Sequence, residues 1–423
     1  MNLTAQHQRP NRPAYVPVPI PSLKAEIGFY VAMLYSLTAD VWGISVPLLA
    51  AVMMCAVAGL CMWELRSFAM SVYAPVRLLL ACAITYVLIQ IVFHAESIMS
   101  DTIRPFVIWM VQLIIVGSLC LRPGFFRRYV VFLFSIALLA LPHLAFSPGD
   151  VERAAIDREL GLGGGFGGIN GLGQWFGFFA IYFAIYGLET TRFAYRLGAW
   201  GLTVGSLFIV ALTVSRGSLL AAALGIAIGF RGVLKRGFAP VVLLILLVAG
   251  VYASGVFDRA YTDYEQRATE ETGRAVIWPM VIGRIMDSPL IGVGAFDVGT
   301  YATSARIAHQ PHNTFLYFAL SSGIVPVILF IAFFIHAAQK SAVQARGRED
   351  GLFRLPYLVF TLIVEMIGDL GCMAPWALLT LSLAAGSPVI YGKQRLFAIQ
   401  AGGKVRFAFA GYKRSETHTT VRS

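Results

Sequence analysis

The sequence predicts an all-α polytopic membrane protein with about twelve transmembrane helices. Of its 423 residues, 58% are hydrophobic and only 13% are charged, which leaves too little polar surface to cover a soluble globule of this size. Apolar runs of about 17 to 23 residues recur along the chain, and each can cross roughly 30 Å of hydrocarbon as a helix. The chain therefore belongs in a bilayer.

The apolar runs also divide the chain into segments. They predict helices near residues 25–40, 44–63, 74–93, 105–121, 127–145, 171–189, 197–214, 217–234, 238–257, 313–337, 354–370 and 373–392. The segments are a polar tail (1–24), the first group of helices (25–257), a long loop containing short helices (258–312), the last helices (313–392) and a basic tail (393–423). The first 22 residues lack the positive region and apolar core of a cleavable signal, so we expect a short cytoplasmic tail.

The basic residues predict how the helices are oriented. When the predicted helices alternate in direction, both termini lie on one side, and every lysine of the chain falls on that side. Because loops rich in Lys and Arg stay in the cytoplasm, this side is cytoplasmic. The net charge of +11 then follows from topology and does not indicate a nucleic-acid partner. Membrane lipids are the surroundings that the composition predicts.

Two predicted outer loops are long enough to carry function. Residues 146–170 contain a glycine run that lacks the Gly-Lys-Ser/Thr ending of a phosphate-binding loop, so a lid or a tight loop is the better interpretation. Residues 258–312 contain an amphipathic stretch from Arg274 to Arg284, which could lie along the interface with Trp278 at headgroup depth.

Two polar residues at predicted helix boundaries are candidates for a functional site. Arg216 stands between two apolar runs with almost no loop to hold it in water, and such a charge is costly unless it has a purpose. A snorkelling residue at a tight turn is the alternative. His312 follows Pro311 and precedes Asn313, which can cap the next helix, so the imidazole is expected at the membrane boundary, where it can accept a proton from a hydroxyl.

The sequence contains no pattern typical of a metal site or a disulfide. Its five cysteines fall in or beside apolar segments without ligand spacing. The acidic pair nearest to an Asp-x-Asp motif on the outer side is Asp263-Tyr264-Glu265, which is best interpreted as a solvated segment. We therefore expect no metal, no other cofactor and no ATP site.

Several short motifs together resemble a known family. They are Ser-Arg-Gly-Ser at 215–218, Gly273-Arg274 with Trp278, Ser-Pro-Leu-Ile-Gly-Val-Gly at 288–294 and Pro311-His312-Asn313. This ordered set, with a large outer loop before the histidine, resembles the O-antigen ligase superfamily, which also includes O-antigen polymerases and protein O-oligosaccharyltransferases. The likeness covers roughly residues 170 to 337.

The resemblance implies an inner-membrane glycosyltransferase of lipopolysaccharide biosynthesis. It implies transfer of O-antigen from undecaprenyl diphosphate to lipid A-core oligosaccharide, at a periplasmic active site and with inversion. Arg216 and Arg274 would bind the donor diphosphate, and His312 would activate the acceptor hydroxyl. The residues in candidate supporting roles are Ser215, Arg284, Asn313 and Asp369.

Other functions stay open at this point. The polymerase and the protein-modifying enzyme use the same donor, and the single dominant outer loop favours the ligase. A flippase for polyprenyl-linked glycans would need charges near mid-membrane, for which Glu365 is the main candidate. A metal-dependent glycosyltransferase would need acidic ligands in its first outer loop, and Asp40 alone is a poor match.

Overall fold

The fold is a bundle of α-helices with a small sheet formed by the two tails. The computed structural model describes residues 15–17, 20–38, 47–65, 74–94, 103–122, 124–146, 168–213, 215–231, 274–295, 311–344, 351–368, 370–384, 395–401 and 404–410. Its helices are α1 Leu23–Thr38, α2 Pro47–Leu65, α3 Ala74–Phe93, α4 Ile103–Leu119, α5 Phe125–Phe146, α6 Gly168–Glu189, α7 Phe193–Leu212, α8 Arg216–Phe230, α9 Arg274–Asp287, α10 Thr314–Ser322, α11 Ile324–Gln344, α12 Gly351–Ile367 and α13 Pro375–Ala384.

The helical prediction is confirmed, with one break that it missed. Each predicted helix in the described part of the chain has a counterpart, whereas the predicted helix 238–257 lies outside the described residues. The predicted helix 313–337 is in fact two helices, α10 and α11, which are separated at Gly323. The amphipathic stretch in the long loop forms α9.

Several helices have the length and composition of membrane spans. Among the described residues, Val76–Phe93, Asn170–Glu189 and Phe193–Ala211 are long and apolar enough to cross a membrane. Shorter apolar helices occupy Leu49–Leu65, Ile103–Leu119, Arg216–Phe230 and Ile324–Gln339. The apolar character of the bundle is thereby confirmed, and the number of spans stays a prediction.

The tails add an antiparallel sheet that the all-α prediction did not include. Strand β1 (Tyr15–Pro17) pairs with β2 (Arg395–Ala401), which pairs with β3 (Lys404–Ala410). In the β2–β3 register Ala401 stands opposite Lys404, so the Gly402-Gly403 dipeptide joins the two strands. That dipeptide between two alternating runs is a hairpin signal.

Polar contacts at one end of the bundle tie α1 to its neighbours. The buried Glu26 carboxylate accepts from Arg122 Nε at 2.7 Å and from Arg128 Nε and Nη2 at 2.6 and 2.8 Å. Nearby, the Ser22 N–H donates to Glu64 Oε2 at 2.6 Å. Burying a carboxylate is favourable only when such donors replace its water, so these contacts fix the end of the bundle nearest β1.

Helix α8 packs very closely between α6 and α12. A Cβ at Gly217 would stand 1.9 Å from Ile367 Cδ1 of α12, and one at Gly225 would stand 2.5 Å from Ile181 Cδ1 of α6. Small residues permit this approach in apolar surroundings, where packing rather than the hydrophobic effect holds helices together. The position of the α8 N-terminus is therefore fixed by its two neighbours.

The break between α10 and α11 is filled by the backbone of residues 288–295. The N–H of Val293 donates to Leu320 O at 2.7 Å, and the N–H of Ile324 donates to Pro289 O at 2.9 Å. These bonds satisfy backbone groups that the interrupted helix frees. Gly323 has a φ of 77°.

The buried side chain of Gln90 on α3 completes this junction. Its Nε2 donates to Ser321 O at 2.8 Å and to Ser322 Oγ at 2.7 Å, while its Oε1 accepts from Ala295 N at 2.9 Å. The Ser288–Gly294 motif thus holds the C-terminal end of α10 in place, which is a structural role.

Replacing Gly323 by Ala should destabilise the protein strongly. The new Cβ would stand 2.2 Å from Leu290 O, and the positive φ adds strain, so we expect a loss of about 3 kcal/mol or more. The measurement is thermal unfolding of the detergent-solubilised protein. Gly201→Ala in α7 is the control, because its Cβ meets nothing within 4 Å and Ala favours helix by about 1 kcal/mol. Equal melting temperatures for the two variants would contradict the packing at this break.

Candidate active site

His312 stands in a strained conformation at the start of α10. Its φ is 49°, in the left-handed region that residues other than glycine rarely adopt. Such a conformation costs about 1–3 kcal/mol and persists only where surrounding contacts impose it. Strain of this kind concentrates at functional sites, which makes the half-buried imidazole a candidate for chemistry.

The residues on either side of His312 supply those contacts. Trp278 of α9 donates from Nε1 to the carbonyl of Pro311 at 2.9 Å. Asn313 caps α10, since its Oδ1 accepts from the N–H groups of Phe315 and Leu316 at 3.0 and 3.1 Å. The capping role predicted for Asn313 is therefore confirmed.

Asn313 and Thr314 also fasten the start of α10 to the C-terminal end of α12. Asn313 Nδ2 donates to Met366 O at 3.1 Å. Thr314 Oγ1 donates to Glu365 Oε2 at 2.6 Å and accepts from the N–H of Leu370 at 2.9 Å. The histidine is thus held on a rigid corner made by α9, α10 and α12.

Arg216 is the first residue of α8, and its side chain is exposed. The free N–H groups of a helix N-terminus add positive potential there, so this position favours an anionic ligand. Ser215 occupies the N-cap position without a side-chain cap bond. Its hydroxyl instead pairs with that of Ser218 at 2.8 Å, so Ser215 supports the first turn of α8.

The C-terminal end of α12, which contacts Asn313 and Thr314, also contacts the start of α8, where Arg216 lies. The backbone of Gly217 abuts Ile367, and the neighbouring Met366 accepts from Asn313. The N-termini of α8 and α10 therefore both lie against the last turn of α12. Arg216 and His312 are predicted site residues from distant parts of the sequence, and this packing brings them to one end of the bundle.

Three other predicted site residues have different outcomes. Arg274 is the first residue of α9, one turn before Trp278, and its side chain is outside the described part. Arg284 is exposed in the last turn of α9, about 15 Å from Arg274 along the helix. Asp369 lies outside the described residues.

The sequence interpretation missed the carboxylate that the structure ties to the site. Glu365 was considered only as a mid-membrane charge for a transporter, yet it lies in the last turn of α12, fully buried, with Thr314 as its donor. The available signal was a carboxylate within an apolar run, which is costly and normally has a purpose. Its partner Thr314 carried no signal of its own.

A comparison with known families agrees with the motifs. A family model described as O-antigen ligase matches residues 201–331. No curated protein matches the chain. The matched range includes Arg216, Arg274 and His312, so the resemblance drawn from the short motifs is confirmed.

Replacing Asn313 by Ala should remove both the cap of α10 and its tie to α12. Losing the cap and the bond to Met366 O together should cost about 1–3 kcal/mol of the free energy of unfolding. Asn313→Ser keeps a capping oxygen and loses only the bond to Met366, so its loss should be smaller. Thermal unfolding of both variants is the measurement. A serine variant no more stable than the alanine variant would show that the cap contributes nothing.

Proposed function

We propose that the chain is a membrane glycosyltransferase of the O-antigen ligase family, whose model matches residues 201–331. Its donor is an O-antigen glycan linked to undecaprenyl diphosphate, and its acceptor is the lipid A-core oligosaccharide. The reaction takes place at the periplasmic face of the inner membrane, with both termini in the cytoplasm.

One observation carries this proposal. The N-terminus of α8 with Arg216 and the Pro311–Thr314 segment both lie against the C-terminal end of α12, and Trp278 of α9 donates to Pro311 O. A cationic helix start and a strained histidine at the same end of α12 offer the two groups that glycan transfer from a diphosphate needs. One group neutralises the departing diphosphate, and the other accepts a proton.

The proposed step is a single displacement. The acceptor hydroxyl oxygen forms a bond to the anomeric carbon of the first donor sugar, and the bond from that carbon to the diphosphate oxygen breaks. The hydroxyl proton passes to His312, the leaving diphosphate keeps the electron pair, and the configuration inverts.

The charge that develops on the diphosphate determines what the arginines do. Guanidinium groups bind phosphate oxygens through two parallel N–H bonds and are always charged, so Arg216 and Arg274 can stabilise the leaving group without a metal ion. The N-terminus of α8 adds its own potential at Arg216. Near the low-dielectric bilayer each contact is stronger than in bulk water.

The distribution of charge supports the proposed orientation. Arg122 and Arg128 lie at the end of the bundle nearest β1, and β1 pairs with β2 of the basic tail. Phe353 near the start of α12 packs against Phe126, two residues before Arg128, whereas Arg216 and His312 lie at the C-terminal end of α12. The positive-inside rule therefore favours the cytoplasm for the end with the tails and the periplasm for the proposed site.

The test is reconstitution of the purified protein with a lipid-linked O-antigen. Lipid A-core, a second lipid-linked glycan and a protein are offered in turn, with a chelator present throughout. We expect transfer to lipid A-core. Transfer to another acceptor identifies a polymerase or a protein-modifying enzyme. Movement of the glycan across the bilayer without transfer identifies a flippase. Loss of transfer in the presence of the chelator contradicts the metal-free step.

Substitutions in the same assay test the roles of the two described residues. Arg216→Ala and His312→Ala should each lower kcat by at least about 100-fold, the scale of a lost oxyanion donor. Arg216→Lys should recover only part, since lysine lacks the planar fork. Matched controls are Arg231→Ala, at the other end of α8, and His336→Ala on α11. Full activity in His312→Ala would remove the proposed base.

A further inference from the structure

The hydroxyl of Thr314 is the centre of a buried joint between two helices. It donates to Glu365 Oε2 at 2.6 Å, accepts from the N–H of Leu370 at 2.9 Å and lies 3.2 Å from Gly368 O. Because the hydroxyl has one proton, the shortest contact indicates that Glu365 receives it. One side chain of α10 thus binds both the last turn of α12 and the turn that follows it.

Strain on both sides of this joint indicates what it holds. Among the residues that the structure describes, His312 and Leu370 are the non-glycine residues with positive φ, at 49° and 51°. His312 is two residues before Thr314, and Leu370 donates to the Thr314 hydroxyl. Strained conformations persist only where neighbouring contacts impose them. The Thr314 hydroxyl links the two segments, because Thr314 follows His312 in the chain and its hydroxyl binds the N–H of Leu370.

The joint is closed to water and tightly packed. Thr314 and Glu365 are both fully buried, so a bond between them is strong and costly to lose. A Cβ at Gly371 would stand 3.0 Å from Glu365 Oε1 and 2.8 Å from Val364 Cγ1, so the turn after α12 lies directly over the carboxylate. The carboxylate therefore has little freedom to move.

We infer that Glu365 and Thr314 are positioning residues, which fix the start of α10 on the end of α12 and so set where His312 stands relative to Arg216. The connection to Arg216 runs through Ile367, which packs against Gly217 at the start of α8. The inference rests on the proposed function for its catalytic consequence. Glu365 acts through the Thr314 hydroxyl and takes no proton from a substrate.

Conservative substitutions separate positioning from proton transfer. Thr314→Val keeps the shape of the side chain and removes the donor, whereas Thr314→Ser keeps the hydroxyl. Glu365→Gln keeps a carbonyl oxygen that accepts from Thr314, whereas Glu365→Leu removes the acceptor. A proton carrier would fail in the Gln variant, and a positioning residue tolerates it.

The measurement is kcat and KM for each variant in the reconstituted transfer assay. Thr314→Val and Glu365→Leu should each lower kcat by about 10- to 100-fold, the effect of a small misplacement of catalytic groups, with the donor KM nearly unchanged. Thr314→Ser and Glu365→Gln should stay close to wild type. The Thr314→Val/Glu365→Leu double variant should lose no more than either single one, because the two side chains act as one unit.

Thr361→Val is the matched control. Thr361 is a buried threonine on the same helix, α12, but its hydroxyl pairs with Thr380 of α13 at 2.8 Å rather than with α10. It should keep wild-type kcat. Wild-type kcat in Thr314→Val, or a Glu365→Gln variant as inactive as Glu365→Leu, would overturn the inference.

Hydrogen exchange gives a readout that does not depend on activity. Amide exchange in α10 should be faster in Thr314→Val than in wild type, Thr314→Ser or Thr361→Val, because the first turn has lost its joint to α12. Unchanged exchange in Thr314→Val would show that the Thr314 hydroxyl does not hold α10 on α12, even if the wild type transfers glycan. Faster exchange in that variant together with an inactive wild type would support the Thr314–Glu365 contact between α10 and α12 but reject the proposed function.

Discussion

The hydrogen bond from Thr314 to Glu365 is the constraint on which the geometry of the site depends. Helix α10 has only nine residues and would be marginal by itself. Both of its ends are instead fastened to other elements, the first turn to the end of α12 and the last turn to residues 288–295 and Gln90. A short helix held at both ends can carry a strained histidine without relaxing it.

The packing of the helix ends also explains why Arg216 and His312 both lie at the start of a helix. A charged side chain in an apolar bundle is costly, but at the first residue of α8 Arg216 reaches the surface while the helix behind it packs against α6 and α12. An exposed cation on a rigid helix start suits an anionic ligand at the boundary between lipid and water. The proposed active site is therefore formed by residues at the ends of the helices and not by residues on their apolar faces.

Sequence patterns predicted the helices because an apolar run of membrane length leaves the backbone few alternatives. They missed the break at Gly323 because the apolar pattern continues through it. The steric requirement for glycine is visible only in the structure, where a Cβ at this position would stand 2.2 Å from the carbonyl of Leu290. Arg216 and His312 were identified because each is a polar residue at a helix boundary. The contact of Glu365 with Thr314 was not predicted, since Thr314 is distant in sequence and unremarkable in type.

The central claim is that Arg216 and His312 share one face of the membrane, at the end of the bundle opposite the tails. Single cysteines replacing Arg216, His312 and Arg231 in a chain whose five cysteines are changed to Ala can be labelled with a thiol reagent that does not cross membranes. In vesicles of known orientation, Arg216→Cys and His312→Cys should react from the periplasmic side and Arg231→Cys from the cytoplasmic side. Labelling of the first two from opposite sides would contradict the account.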